Sequence, residues 1–153
     1  MIYLNKAEIT DGEFILSVRN DSSTLCFLHD SRVFELKDFQ IWFKNINPIW
    51  YIILNEYKEP VGYVRTKWID KMNNIQVGVD IHPNHRRKGY AKSAYQNIFK
   101  IYNYVKIFSL EVLEENKLAI NLYEKLGFSE IHRYLYTNGE SNKISIVMEK
   151  INE

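Results

Sequence analysis

Cysteine, proline and glycine are scarce in this sequence of 153 residues. It contains one cysteine, Cys26, together with 3 prolines and 6 glycines. A single cysteine cannot form an internal disulfide, so the sequence favours a reducing, cytoplasmic environment and a cysteine that is buried rather than catalytic. With few glycines and prolines and no low-complexity tract, the chain is not expected to be disordered.

Long apolar runs, a large excess of one charge and a cluster of metal ligands are absent too. The longest apolar run, Ile49–Leu54, is far too short to span a bilayer, and the first residues lack a signal-peptide pattern. A net charge of +1 provides no broad basic surface for nucleic acid. His82 and His85 flank a proline without a cysteine or carboxylate cluster nearby. We therefore expect no membrane partner, no nucleic-acid partner and no metal.

What remains is the composition of an ordinary globular domain. Hydrophobic residues make up 46% of the chain and charged residues 25%. The length and the lack of linkers or repeats predict a single domain over residues 1–153. The aromatic content of 14% is expected to serve both the core and the lining of a cleft.

Hydrophobic periodicity predicts an α/β fold with about seven strands and about four helices. The predicted helices cover residues 11–20, 36–46, 89–104 and 116–126. The predicted strands cover residues 2–4, 50–55, 61–69, 75–81, 105–112, 129–136 and 144–150. The strand–helix–strand segment 75–112 predicts a central parallel pair in a mixed, mostly antiparallel sheet. Asn138-Gly139 predicts a turn between the last two strands.

The segment from Val79 to Lys92 combines a strand, a short basic loop and the start of a helix. A helix N-terminus offers unpaired N–H groups and the positive end of the helix dipole, and both suit a phosphate. Gly89 permits close approach of a ligand, small Ala91 leaves room beside it, and Arg86–Lys88 add positive charge. Local chemistry thus predicts either a pyrophosphate-binding loop or an ordinary basic surface turn. The segment is not a Walker loop, because it lacks the Gly-Lys-Ser/Thr ending.

A second informative segment runs from Ser109 to Phe128. Asn116, Ala119 and Tyr123 lie at positions i, i+3 and i+7, so they share one face of the predicted helix. Asn116 is suited to cap this helix, and Gly127 suits the left-handed position after its end.

Together the two segments resemble the GNAT superfamily of N-acetyltransferases. The first is similar to the signature Gln/Arg-x-x-Gly-x-Gly/Ala, and it has an alanine where many members have glycine. The second is similar to the family hallmark of Leu-Glu-Val followed by Asn, Ala, Tyr and Gly-Phe. The matching residues are Arg86-Arg87-Lys88-Gly89-Tyr90-Ala91, Leu110-Glu111-Val112, Asn116, Ala119, Tyr123 and Gly127-Phe128. The resemblance implies a single-domain GNAT fold with acetyl-CoA as co-substrate.

It also implies which residues bind acetyl-CoA. In the family, loop amides hold the pyrophosphate, the preceding strand hydrogen-bonds the pantetheine arm, and the capping asparagine also contacts that arm. The implied cofactor-binding residues are Val79, Asp80, Ile81, Arg86, Arg87, Lys88, Gly89, Tyr90, Ala91, Lys92 and Asn116.

Two residues of the second segment are candidate catalytic groups. Tyr123 is expected to donate a proton to the departing thiolate, because a phenol pKa of about 10 lies near a thiol's pKa of roughly 8.5. Glu111 resembles a glutamate of ribosomal-protein acetyltransferases and is the candidate base, with Gln76 and Asp80 as further helpers. A backbone N–H near Val79 or Asp80 is expected to polarise the thioester carbonyl. The alternatives are that Tyr123 merely packs and that Glu111 merely faces solvent.

The acceptor is less clearly indicated. Arg19-Asn20 and the aromatic stretch Phe39–Phe43 resemble two GNAT branches, which acetylate nucleotide-linked amino sugars and ribosomal-protein N-termini. Val18 and Gln40 depart from the tryptophan and histidine usual there. We predict a small-molecule amine such as a nucleotide-linked amino sugar. Two alternative functions stay open: acetylation of a protein N-terminus or lysine, and binding of coenzyme A without transfer. A homodimer stays open as well, because dimers are common in the family that the chain resembles.

Overall fold

The computed structural model describes residues 1–138 and 141–153, which form seven strands and five α-helices. The strands are β1 (Tyr3–Lys6), β2 (Tyr51–Leu54), β3 (Pro60–Asp70), β4 (Asn74–Ile81), β5 (Ile107–Leu113), β6 (Ser129–Asn138) and β7 (Ser141–Ile151). The helices are α1 (Gly12–Arg19), α2 (Ser22–Leu25), α3 (Leu36–Ile46), α4 (Tyr90–Ile101) and α5 (Lys117–Lys125). None of these helices has the length and apolar composition needed to cross a membrane.

The α/β class predicted from the sequence is confirmed, and the differences lie at element ends. α4 stops at Ile101 instead of residue 104, because Tyr102 leaves the helical region with φ −106° and ψ 39°. A turn follows, in which the Val105 N–H donates to the Tyr102 carbonyl, so β5 begins at Ile107 instead of residue 105. The turn predicted at Asn138-Gly139 reaches into residues 139–140, outside the described part of the chain.

The sequence analysis missed the one-turn helix α2. This helix begins with polar residues that carry no helical periodicity, but Asp21 caps the turn by accepting from the Ser23 N–H at 3.0 Å. The prediction of a buried cysteine was also wrong, because Cys26 is exposed at the end of α2. Its thiol donates to the Ser23 carbonyl at 3.4 Å.

The strands form one sheet in the order β1-β2-β3-β4-β5-β7-β6, in which β4 and β5 are parallel and the other neighbours antiparallel. The parallel pairing is short and joins Asn74–Gln76 to Ile107–Ser109. By contrast, β3 stays paired with β4 as far as Ile81, and β7 stays paired with β5 as far as Leu113. The two central strands therefore diverge beyond Gln76, and their facing edges border a cleft.

Two apolar layers cover the two faces of the sheet. One layer packs α4 and α5 against the sheet and includes the buried residues Ile75, Val77, Tyr95, Ile98 and Phe108. The other packs α1 and α3 against the opposite face and includes Ile15, Val18, Phe39, Ile52 and Tyr63. Because side chains alternate along a strand, β4 turns Ile75 and Val77 to the first layer and Gln76, Gly78 and Asp80 to the second.

The segment between α2 and α3 is held in place by the end of α1. The Arg19 guanidinium donates to the carbonyls of Asp30 at 2.9 Å and Arg32 at 2.6 Å. Asn20 donates to the Phe34 carbonyl at 2.7 Å and accepts from the Phe34 N–H at 3.1 Å. The Arg19-Asn20 pair, noted in the sequence for its resemblance, thus fixes a loop that would otherwise have few ties to the sheet.

Candidate active site

The divergence of β4 and β5 opens a first cleft with a volume of about 710 Å³. Its walls are the edge of β4, the loop before α4, the first turn of α4 and one face of α5. All of the predicted cofactor-binding residues line it except Lys88, which is exposed outside it: Val79, Asp80, Ile81, Arg86, Arg87, Gly89, Tyr90, Ala91, Lys92 and Asn116. The two candidate catalytic residues, Tyr123 and Glu111, line it as well.

The loop before α4 exposes the start of that helix. Gly89 is the residue before the first helical turn and has φ +82°, a left-handed conformation that favours glycine. The first bond inside the helix runs from the Ser93 N–H to the Gly89 carbonyl at 3.1 Å, so the N–H groups of residues 90–92 precede the hydrogen-bond ladder. A Cβ added at Gly89 would meet no atom within 4 Å. This geometry leaves room and donors for an anion.

Arg86 connects this loop to α2. Its Nε donates to the Ile81 carbonyl at 3.1 Å, and its Nη atoms donate to Ser23 Oγ at 2.7 Å and Thr24 Oγ1 at 2.8 Å. The guanidinium thus holds the loop in position. Arg87 and Lys92, both exposed at the mouth of the cleft, carry the charges that are free to meet a phosphate.

The edge of β4 and the cap of α5 form the middle of the first cleft. Beyond Gln76 the backbone of β4 has no strand partner on the side of β5. An extended chain with amide groups can pair with such an edge as an additional strand. Across the cleft, the Asn116 side chain accepts from the Ala119 N–H at 3.4 Å, which confirms its predicted capping role.

Tyr123 lies half-buried on the inner face of α5. Its ring meets Tyr95 edge-on at a centroid distance of 5.6 Å. Tyr95 in turn donates to the Val77 carbonyl on β4 at 3.4 Å. Burial raises the pKa of Tyr123, so its phenol stays protonated at neutral pH. The hydroxyl is therefore held within the cleft in the form that can donate a proton.

A second cleft, of about 560 Å³, lies between the end of α3 and strands β3 to β5. An aromatic wall formed by Trp42, Trp50, Trp68 and Tyr102 lines it. Its polar lining includes His29, Arg65, Lys67, Gln76 and Glu111. Arg65 and Glu111 line both clefts, so the two clefts meet at these side chains.

An ion pair crosses the floor where the clefts meet. Nε of Arg65 on β3 lies 3.1 Å from Oδ2 of Asp80 on β4. The guanidinium lies across Gly78, where an added Cβ would come within 2.4 Å of Nη2. Arg65 neutralises the Asp80 carboxylate. Of the three polar groups predicted to assist the reaction, Glu111 as the base and Gln76 as a helper are therefore better placed than Asp80.

Glu111 faces the junction of the two clefts. Both of its carboxylate oxygens lie 3.2 Å from the Tyr134 hydroxyl, and Oε2 lies 3.9 Å from His29 Nε2. Sequence reasoning missed both His29 and Tyr134 as neighbours of this carboxylate. No spacing links residue 29 or 134 to residue 111, because their proximity depends on where the loop after α2 and the β6–β7 pair settle on the sheet.

Across the described residues, no group of three or more histidine, cysteine, aspartate or glutamate side chains is arranged to hold a metal ion. His82 instead shapes the turn after β4, where its Nδ1 accepts from the Asn84 N–H at 3.1 Å.

The comparisons with known proteins agree with this geometry. The family model described as the acetyltransferase (GNAT) family matches residues 15–128, which include both segments identified in the sequence. The chain belongs to this family. It is an acetyl-CoA-dependent N-acetyltransferase.

Solved structures share the fold over nearly the whole chain. Spermidine N-acetyltransferase from Vibrio cholerae in complex with CoA and spermine has 18% identity and a TM-score of 0.88, and covers 99% of this chain and 95% of that one. Ribosomal-protein-alanine N-acetyltransferase from Brucella melitensis has 18% identity and a TM-score of 0.82, covering 97% and 99%. A Salmonella typhimurium protein solved with its cofactor acetyl-CoA has 13% identity and a TM-score of 0.81, covering 100% and 95%. At these identities the likeness shows the fold. A comparison with curated proteins found no match.

The open space in front of α4 leads to a prediction about Gly89. In Gly89→Ala the new methyl group projects into that space and strains a residue with φ +82°. We expect acetyl-CoA to bind about tenfold more weakly, as measured by titration calorimetry.

Gly127→Ala provides the matched control, because Gly127 also has a positive φ, +100°, but lies outside the first cleft. Both variants should lose about 1 kcal/mol of folding stability from the left-handed conformation, as measured by chemical denaturation. Equal acetyl-CoA affinity in the two variants would contradict the placement of the pyrophosphate at the start of α4.

Proposed function

We propose that this acetyltransferase moves the acetyl group of acetyl-CoA directly onto the primary amine of a small-molecule acceptor, with Glu111 as the base and Tyr123 as the acid. The observation that carries this proposal is the meeting of two separate clefts at Glu111 and Arg65. One cleft has the donors for a pyrophosphate and an unpaired strand edge, and the other has an aromatic wall. Two substrates can thus approach a common point from different sides.

The residues of the first cleft each contribute to binding acetyl-CoA. The N–H groups of residues 90–92 hold the pyrophosphate, with Arg87 and Lys92 adding charge. The edge of β4 over Val79–Ile81, together with Asn116, orients the pantetheine arm. Bound acetyl-CoA supplies an acetyl group activated as a thioester.

The proton transfers fall to Glu111 and Tyr123. An ammonium has no lone pair, so Glu111 first accepts a proton from it, directly or through a water molecule. A backbone N–H of Val79 or Asp80 donates to the acetyl carbonyl oxygen as negative charge develops there. Tyr123 then donates to the departing thiolate. Burial raises the pKa of the Tyr123 phenol, so the phenol keeps its proton until the thiolate departs.

The second cleft suits an acceptor that carries rings and negative charge, such as a nucleotide-linked amino sugar. Trp42 is partly exposed and packs against Trp50 with ring centroids 5.0 Å apart, which provides an aromatic surface for a sugar or base. Lys67 is exposed at the cleft and forms no ion pair within the described residues. Its ammonium is therefore available to a phosphate.

A neighbouring hollow extends the space for such an acceptor. It has a volume of about 440 Å³ and shares Trp42 and Trp50 with the second cleft. Arg65 is already paired with Asp80, so Lys67 is the cation among the described lining residues of the second cleft that can anchor a phosphate there.

Removing the hydroxyl of Tyr123 tests its role as the acid. We expect Tyr123→Phe to lower kcat by at least about tenfold, equivalent to about 1.4 kcal/mol of barrier, while the affinity for acetyl-CoA stays nearly unchanged. The measurement is steady-state thiol release, with calorimetry for affinity.

Tyr57→Phe is the control for this substitution, since Tyr57 is 75% exposed in the turn between β2 and β3. An unaltered kcat in Tyr123→Phe would remove the phenol from the chemistry and leave it a packing role.

The acceptor class is tested with a panel of amines and with the substitution Lys67→Gln. Thiol release is measured with nucleotide-linked amino sugars, the same sugars without the nucleotide, spermidine, and peptides with free N-termini. We expect turnover with the nucleotide-linked sugars. In Lys67→Gln, KM for them should rise about tenfold with little change in kcat, because the lysine contributes to binding a phosphate that does not react.

Lys67→Gln should leave KM for the sugars without the nucleotide unchanged. Lys71 is an exposed lysine in the turn after β3, and Lys71→Gln should change KM for neither kind of sugar. Turnover confined to peptides or to spermidine would refute the proposed acceptor class.

A further inference from the structure

The loop after α2 passes between the two clefts. Phe27 and Leu28 line the first cleft, and the next residue, His29, lines the second. The contacts of Arg19 and Asn20 hold the later part of this loop. At its centre, the Tyr136 hydroxyl on β6 donates to the His29 carbonyl. The loop around His29 is thus held by contacts from the end of α1 and from β6.

The imidazole of His29 points at the carboxylate of Glu111. Nε2 of His29 lies 2.7 Å from Ser145 Oγ on β7 and 3.9 Å from Glu111 Oε2 on β5. The ring packs edge-on against Tyr136 at a centroid distance of 4.9 Å. The His29 side chain is 26% exposed and that of Glu111 34%, so both can be reached by solvent and by an acceptor in the second cleft.

The charges around His29 keep its ring ready to accept a proton. Burial lowers the pKa of His29, Glu111 opposes that shift, and Arg65 on β3 adds to it. Within residues 1–138 and 141–153, further groups near the ring include the hydroxyls of Ser145 and Tyr136, and the Tyr134 hydroxyl contacts Glu111. A histidine with a lowered pKa is neutral at neutral pH and carries a lone pair on one ring nitrogen.

We propose that His29 and Glu111 form a proton relay for the acceptor amine, an inference that rests on the proposed function. An N–H bond of the acceptor ammonium breaks as the proton moves to the Glu111 carboxylate, which leaves the amine a lone pair for attack. The proton then passes from Glu111 to the imidazole of His29, whose imidazolium form releases it to solvent. The carboxylate is restored with no other reactant consumed.

The relay has a physical purpose. The neutral imidazole is a second proton acceptor beside the carboxylate and is open to solvent, so His29 takes the proton onward and away from the amine. The separation of 3.9 Å is too long for a direct hydrogen bond. A small rotation of either half-exposed side chain, or one bridging water molecule, closes it. His29 acts through Glu111 and need not touch the acceptor.

The test follows kcat/KM against pH in His29→Gln, with the best amine of the panel. We expect a loss of about tenfold at pH 7 that shrinks to about twofold near pH 9, where more of the amine is already deprotonated. The affinity for acetyl-CoA should be unchanged. His132→Gln is the matched control, because His132 is exposed on β6 and lines neither cleft.

A uniform loss at every pH would assign His29 a purely structural role and overturn the relay, and so would the absence of any loss. If wild-type protein turns over the amine and His29→Gln keeps the wild-type profile, the relay fails while the proposed function stands. If wild-type protein acetylates no amine, the proposed function fails and the relay fails with it.

A second measurement does not depend on how His29→Gln folds. The titration of the His29 ring is followed by NMR in wild-type protein and in Glu111→Gln. We expect a lower titration midpoint in Glu111→Gln, because the carboxylate favours the imidazolium form. The same midpoint in both proteins would show that the two groups are not coupled, and the relay would be overturned.

Discussion

The short pairing between β4 and β5 is the constraint on which this structure depends. Each strand is firmly paired on its outer side, β4 with β3 and β5 with β7, yet the two are joined to each other only over Asn74–Gln76 and Ile107–Ser109. The divergence leaves a row of backbone donors and acceptors without a strand partner in the middle of a sheet, where such groups are normally paired. An extended ligand with its own amides can pair with them, and the proposed site for acetyl-CoA rests on that pairing.

The elements around this opening are tied together by polar contacts from distant parts of the chain. Arg86 holds the loop before α4 against α2, and Arg19 with Asn20 holds the loop that follows α2. Arg65 and Asp80 bridge β3 and β4 below the junction of the clefts. The contacts of Arg86, Arg19 and Asn20 are hydrogen bonds, and the contact between Arg65 and Asp80 is an ion pair; such contacts orient their partners. They bring a helix start, a phenol, a carboxylate and an imidazole to one place, and the proposed direct transfer uses that proximity.

Local patterns were enough to predict the elements other than α2 and most of the residues that line the first cleft. The loop 86–91, the cap at Asn116 and the helical face carrying Tyr123 are each defined within a few residues, so their geometry follows from helix-end chemistry and from the family resemblance. The divergence of β4 from β5 is not visible in either strand, since both keep ordinary strand patterns. His29 and Tyr134 reach Glu111 by long-range packing that no spacing encodes. The exposed Cys26 shows the same limit, because composition alone suggested that it is buried.

The claim at the centre of this account is that acetyl-CoA pairs with the open edge of β4 and with the start of α4. Amide hydrogen exchange, measured with and without acetyl-CoA, tests it at the backbone itself. The account predicts slower exchange on binding for amides within residues 77–81 and 89–92, with little change in β1 and β2, which lie at the far edge of the sheet. Binding that leaves the exchange of residues 77–81 unchanged would contradict it.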